Sequence, residues 1–215
     1  MDHLGQRLKG VRVRAGLTLR ELARAAEVSP SLISQIENGK SQPSVATLYA
    51  FSRVLNVSVD ELFEDGQQES SMPVTVNGNG AAAAAAAHVD PVHVWRQSEY
   101  SNRVSVVHPT HRPSLVMAEG VVWERLAATP ERGVSFMKIS YAPGATSNGD
   151  GHSSTHDGYE YGFVLRGVIE ITVGDEVFVL RQGESLGFDS TIPHVLHNPG
   201  DEPFEGVWFV HGRQH

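Results

Sequence analysis

The sequence predicts an α+β protein in two domains: an all-α bundle of five short helices, then an all-β sandwich or barrel. Three observations carry that prediction. Up to about residue 65 apolar residues recur at helical spacing, with helix-start signals at short intervals. From residue 64 to about residue 90 the composition shifts to Gly, Ala, Ser and Asn, with no apolar period to bury. Beyond residue 100 short apolar runs alternate with Gly, Pro, Asp and Asn, the grammar of strands and turns. The expected boundaries are 1–65 for the helical domain, 66–90 for a flexible Gly/Ala-rich linker and 91–215 for the β-domain, with its core at 115–211.

Each helix has its own signals. Leu4, Leu8 and Val11 give the first an apolar stripe, and Gly16 stands where a C-terminal glycine belongs. Thr18 with Glu21 forms a capping box for the second, which buries Leu22, Ala23 and Ala26. Ser29 as N-cap and Pro30 at the first helical position open the third, which stops at Asn38-Gly39. Ser44 and Ser58 cap the fourth and fifth, and Ser58 again has a glutamate, Glu61, three residues on. In the linker the run Ala81 to Ala87 favours helix, but so short a segment is unstable alone, so a plain tether is expected. The β-domain reads as RVSVV, GVVWERL, VSFMKISY, YEYGFVL, VIEITVG, EVFVL, SLGFD and FEGVWFV. No helical pattern of βαβ length intervenes, which favours an antiparallel architecture.

Composition narrows the chemistry. The absence of cysteine excludes disulfides, thiolate metal sites and a cysteine nucleophile. The N-terminus lacks a leader pattern and no apolar run is long enough to cross a membrane, so a cytoplasmic protein is expected. The net charge of -8 hides an asymmetry: residues 1–53 hold eight Lys and Arg against four Asp and Glu, a balance of +4, which leaves -12 on the rest. A basic module on an acidic body approaches phosphate with one end only.

The second and third helices are separated by the short stretch EVS, which fits the sharp turn of a helix-turn-helix. In the third, Leu32, Ile33 and Ile36 form the buried stripe, while Ser31, Ser34, Gln35 and Asn38 fall on the opposite face. Short hydroxyls let a helix sit deep in a major groove, and a glutamine can make two hydrogen bonds to adenine, so Gln35 is the preferred base reader. Arg20, Ser29, Lys40 and the N-terminal turns of helices two and three are assigned to phosphates. The segment LTLRELARAAEVSPSLISQIENGKSQPSVATLYAFSRVLNVSVDELF closely resembles the phage-repressor-like (XRE) helix-turn-helix family, over residues 4–63. The resemblance implies operator DNA as partner and a homodimer. Leu19 stands where relatives often carry a DNA-contacting glutamine, so no contact is assigned there.

The β-domain carries two spaced motifs. In the first, His156, Glu160 and Gly167 are separated by three and six residues; in the second, Gly183, His194 and Asn198 by ten and three. Together they resemble the cupins, over residues 115–211, which implies that the all-β domain is an antiparallel β-barrel or jelly roll. Metal-binding cupins commonly use His-x-His, a glutamate and a later histidine, and here Ser154 replaces the first histidine, with His152 two residues earlier. What the resemblance leaves is His156, Glu160 and His194, a set suited to one divalent metal such as Fe, Zn, Ni or Mn. The alternative stays open that the site is metal-free and that Ser154, His156, Glu160 and His194 form an effector pocket. In a straight strand His156 and Glu160 would lie about 13 Å apart, so the turn dipeptide Asp157-Gly158 is expected to bend the chain. His197 is expected at the rim, and His3, His88, His93, His108, His111, His211 and His215 at the surface. Tyr159, Tyr161, Phe163 and Leu165 share the strand face opposite Glu160 and are read as packing residues.

Fusion of the two modules resembles a bacterial regulator family. It implies a transcription regulator without catalytic residues, whose cupin binds a small-molecule effector (an amino acid, amine or related metabolite) and modulates operator binding. The alternative is a mononuclear non-heme iron oxygenase of the fosfomycin-epoxidase type, which also joins a helix-turn-helix-like domain to a cupin.

Overall fold

The structure, a computed structural model, describes residues 4–63, 107–127, 133–149 and 153–212. The expected linker lies outside the described residues, as do His3, His88, His93, His152 and His215 and most of the expected strand RVSVV.

Four α-helices form the first unit: α1 (Leu4–Arg14), α2 (Leu19–Ala25), α3 (Pro30–Glu37) and α4 (Val45–Leu55). Their caps are those the sequence announces. Thr18 and Glu21 exchange both capping-box hydrogen bonds, Ser29 accepts from the Leu32 N–H, and Ser44 accepts from the Thr47 N–H. The expected fifth helix is instead a single 3-10 turn over Val59–Leu62, although Ser58 and Glu61 do bond reciprocally. A cap satisfies the first N–H groups but supplies no propagation, and one turn gives too few bonds to offset the ordered dihedrals. Leu8, Leu22, Ile33, Ile36, Leu48 and Phe51 build the helical core. Inside it Arg12 makes a two-pronged ion pair with Glu37, at 2.6 and 2.9 Å, and donates to the Leu17 carbonyl. The pair ties α1 to the last turn of α3.

The strands are β1 (Ser114–Val116), β2 (Val121–Arg125), β3 (Val134–Tyr141), β4 (Tyr159–Arg166), β5 (Val168–Val173), β6 (Glu176–Arg181), β7 (Ser185–Asp189), β8 (His194–His197) and β9 (Phe204–His211). They form a six-stranded antiparallel sheet in the order β1-β2-β3-β9-β4-β7 and a three-stranded one in the order β6-β5-β8. Among the described residues the strands form two separately hydrogen-bonded sheets and no closed barrel; a jelly roll is itself such a double-sheet arrangement. On β4 the alternation is as expected, with Glu160, Gly162 and Val164 pointing inward and Tyr159, Tyr161, Phe163 and Leu165 on the opposite face, but these four are 40–53% exposed rather than packed in the core. Tyr161 stands beside Phe209, which pairs with Phe136, so an aromatic row crosses the outer face of the large sheet.

The two units touch through the start of α4. The Ala118 N–H donates to the Pro43 carbonyl at 3.0 Å and the Ala46 N–H to the Ser147 carbonyl at 3.4 Å, with Val45, Ala46 and Thr47 buried. This contact brings a helix of the first unit to the mouth of the strand unit.

Candidate functional site

The site starts at the Asp157-Gly158 bend. Gly158 has φ +114°, and a side chain there would collide with the His211 carbonyl oxygen, so the bend requires glycine. The bend folds the chain back as expected, and His156 Nε2 lies 2.6 Å from Glu160 Oε1. His194 arrives from β8, whose N-terminus is fixed by reciprocal backbone hydrogen bonds with Ser154 at 3.0 and 3.1 Å. Its Nε2 stands 3.1 Å from the same Glu160 oxygen. The other carboxylate oxygen accepts from the Trp208 indole N–H at 2.7 Å.

The electrostatics follow from burial and partners. Burial alone would raise the Glu160 carboxyl, but the hydrogen bonds and charge of His156 and His194 prevail and hold it well below the usual carboxylate range. Burial pulls His194 down, but its hydrogen bond to Glu160 and that residue's charge outweigh the loss, so the net shift is upward. Burial, then the Glu160 charge, push the Tyr141 phenol up.

The donor geometry tests whether a metal fits. His194 Nδ1 lies 2.9 Å from the Ile192 carbonyl, which only accepts, so Nδ1 carries the proton. In the neutral ring Nε2 then presents a lone pair to a carboxylate oxygen. Two acceptors at that separation need a cation between them, either a proton or a metal ion. A carbonyl-anchored Nδ1–H is also the usual support for a metal-ligating histidine. The donor atoms of His156, Glu160 and His194 all lie within 4.8 Å of one another, so this group could hold a metal ion. Ser154, at the position of the missing histidine, is 3% exposed, lines the same cavity, and its hydroxyl has no hydrogen-bond partner among the described residues.

The remaining motif residues build turns. Gly167 and Gly183 adopt φ +79° and +86°. Asn198 is fully buried and donates to the carbonyls of Tyr141, Ala142 and Glu202, which fixes the loop before β9. His197 lies 3.7 Å from Glu170 at the edge of the small sheet, away from the ligand set. Three functional neighbours were not read from the sequence: Trp208, Gly162 and Tyr49. Gly162 pairs with Trp208 across β4 and β9, and a Cβ there would run into the indole ring. Gly162→Ala should displace Trp208 from Glu160, costing about 1–3 kcal/mol of stability and lowering metal affinity roughly 10- to 100-fold. Thermal unfolding and metal titration of this variant, with Trp208→Phe beside it, check this.

The helical unit presents the expected outer face. Ser31, Gln35, Asn38 and Lys40 of α3 and its following turn are exposed, as is Arg20 on α2, while Ser34 is half-buried. The Ser29 hydroxyl oxygen is engaged as N-cap. Asn38 is drawn back onto the helix, its amide donating to the Ser34 carbonyl at 2.6 Å.

The Helix-turn-helix family profile matches residues 8–62, and the Cupin domain profile matches residues 137–210. The chain belongs to the XRE-type helix-turn-helix family and carries a cupin domain. Among relatives of this helix-turn-helix and cupin pairing, the HTH-type transcriptional regulator PuuR of Escherichia coli is 26% identical over 194 residues, 90% of this chain and 86% of that one. The HTH-type transcriptional regulator SutR, also of Escherichia coli, is 25% identical over 208 residues, 97% of this chain and 94% of that one. A crystal structure of an HTH_3 family transcriptional regulator from Vibrio cholerae shares the fold, with a TM-score of 0.60 at 19% identity over 99% of this chain and 97% of that chain.

Proposed function

We propose that this helix-turn-helix cupin protein is a cytoplasmic transcription regulator that binds operator DNA as a homodimer, and that a small molecule in its cupin pocket alters operator affinity. The observation that carries this reading is the pairing of an exposed, groove-compatible α3 face with a buried polar cluster whose mouth is touched by α4 of the same helical unit. Two-fold operators call for two copies of the chain. Gln35 reads a base, with Ser31 and Ser34 giving a shallow helix surface; Arg20, Ser29 and Lys40 meet phosphates. In the pocket Ser154, His156, Glu160 and His194 receive the effector, an amino acid, amine or related metabolite. His156, Glu160 and His194 would hold a divalent metal, which supplies a Lewis-acid anchor for an anionic or chelating group. The oxygenase alternative is set aside, since relatives covering nine-tenths or more of the chain are named as transcriptional regulators.

The test is selection of bound sequences from random duplex DNA, followed by anisotropy titrations across salt. One enriched motif is expected. Gln35→Ala should weaken binding to it by about 1–3 kcal/mol while leaving non-specific DNA unaffected. Lys40→Ala should weaken all sequences alike and reduce the salt slope by about 1. Recovery of no motif would sink the regulator reading.

A further inference from the structure

Tyr49, on α4, reaches across to the cupin pocket. Its ring stacks on the His156 imidazole with centroids 4.2 Å apart and planes 14° apart, and meets the Trp123 ring edge-on at 5.9 Å. Behind it, the cavity around Glu160, His194 and Ser154 measures about 20 Å³, enough for one water or one ion. With Tyr49 in place, no amino acid or other organic molecule fits there. On its other side Tyr49 lines a cleft of about 140 Å³, whose walls include Glu27, Arg53, Ser153 and Thr155. The ring therefore separates a surface cleft from an inner chamber with apolar walls of Val45, Trp123, Met137 and Leu196. The inner chamber also holds the unpartnered Ser154 hydroxyl.

We propose that Tyr49 occupies the seat of the organic effector, so that ligand binding and docking of α4 on the cupin exclude each other. The proposal rests on the effector reading above and deepens it. The seat is bounded by the face of His156 and, at a steep angle, by Trp123. Within the effector classes proposed above, it suits a molecule that carries a small planar ring and a polar substituent, such as an aromatic amine. Because Tyr49 is covalently part of the chain, it acts as a tethered competitor, and the ligand binds only the fraction of molecules in which α4 has lifted away. Seating of the ligand then frees the helical unit from the Ala46–Ser147 and Pro43–Ala118 backbone contacts.

The test uses the full chain and 4-methylphenol, the tyrosine side chain as a free molecule, titrated by calorimetry. Tyr49→Ala should bind it at least about tenfold more tightly than the unmodified protein, because the competitor is gone. Tyr49→Phe, which keeps the ring and guards against a folding artefact, should bind as weakly as the unmodified protein. Equal affinity in all three proteins, or no binding to any, overturns the proposal. Operator affinity measured on the same proteins separates this inference from the one beneath it. A tenfold gain in 4-methylphenol binding with operator affinity unmoved upholds the Tyr49 seat and removes the regulatory coupling.

Discussion

One divalent metal per chain is expected in protein purified anaerobically, with His156→Ala and His194→Ala each lowering its affinity by about 100-fold or more. Elemental analysis after reconstitution with iron, zinc, nickel and manganese in turn measures this. The size of the effect comes from the donor count: three side chains supply the set, and loss of either imidazole leaves two. It also comes from preorganisation, since the Ile192 carbonyl fixes the His194 tautomer and Trp208 fixes the carboxylate before any ion arrives. A protein that takes up none of the four metals would assign the cation between His194 and Glu160 to a proton. The cluster would then be an imidazolium–carboxylate pair serving the pocket directly.

Arg12→Ala should destabilise the helical unit by about 3–5 kcal/mol, because it strands the Glu37 carboxylate in the core. Both partners are buried, with side-chain exposures of 10% and 5%. Denaturant unfolding gives the loss, and on the proposed function operator binding should fall with it, since the pair fixes the end of α3 against α1. Arg12→Met combined with Glu37→Leu should recover most of the stability, as apolar replacement of both partners of a buried pair is often neutral or better. A double variant as unstable as the single one would mean that the pair positions α3 rather than merely satisfying charge.

The local grammar of this chain was legible where short-range chemistry decides it. Thr18, Ser29 and Ser44 are caps because their hydroxyls reach N–H groups three residues on, a contact set by sequence distance alone. His156, Glu160 and His194 were legible as a group through the resemblance to the cupin motifs, and Asp157-Gly158 marked the bend that brings the first two together. What stayed hidden depends on register and docking. Trp208 meets Glu160 through the pairing of β9 with β4, and Tyr49 meets His156 through contact between the two units; neither leaves a periodic trace. Arg12 and Glu37, 25 residues apart, look like ordinary surface charges until α1 and α3 pack. On β4 alternation separated the two faces, but not which one the second sheet would cover. The three-residue β1 was too short to register, and β8 was masked by the motif it carries.

Two of the three tryptophans, Trp123 and Trp208, sit in the wall of a single cavity; Trp95 lies outside the described residues. One indole donates to the carboxylate at the centre of the cluster, and the other touches the ring that closes the entrance. Indole emission responds to hydrogen bonding and to neighbouring charge, so the chain carries its own optical probe at the place where binding is expected. Ultraviolet fluorescence, without dye or label, can follow the cavity from within: Trp208 senses what happens at Glu160, and Trp123 senses whether Tyr49 is in place.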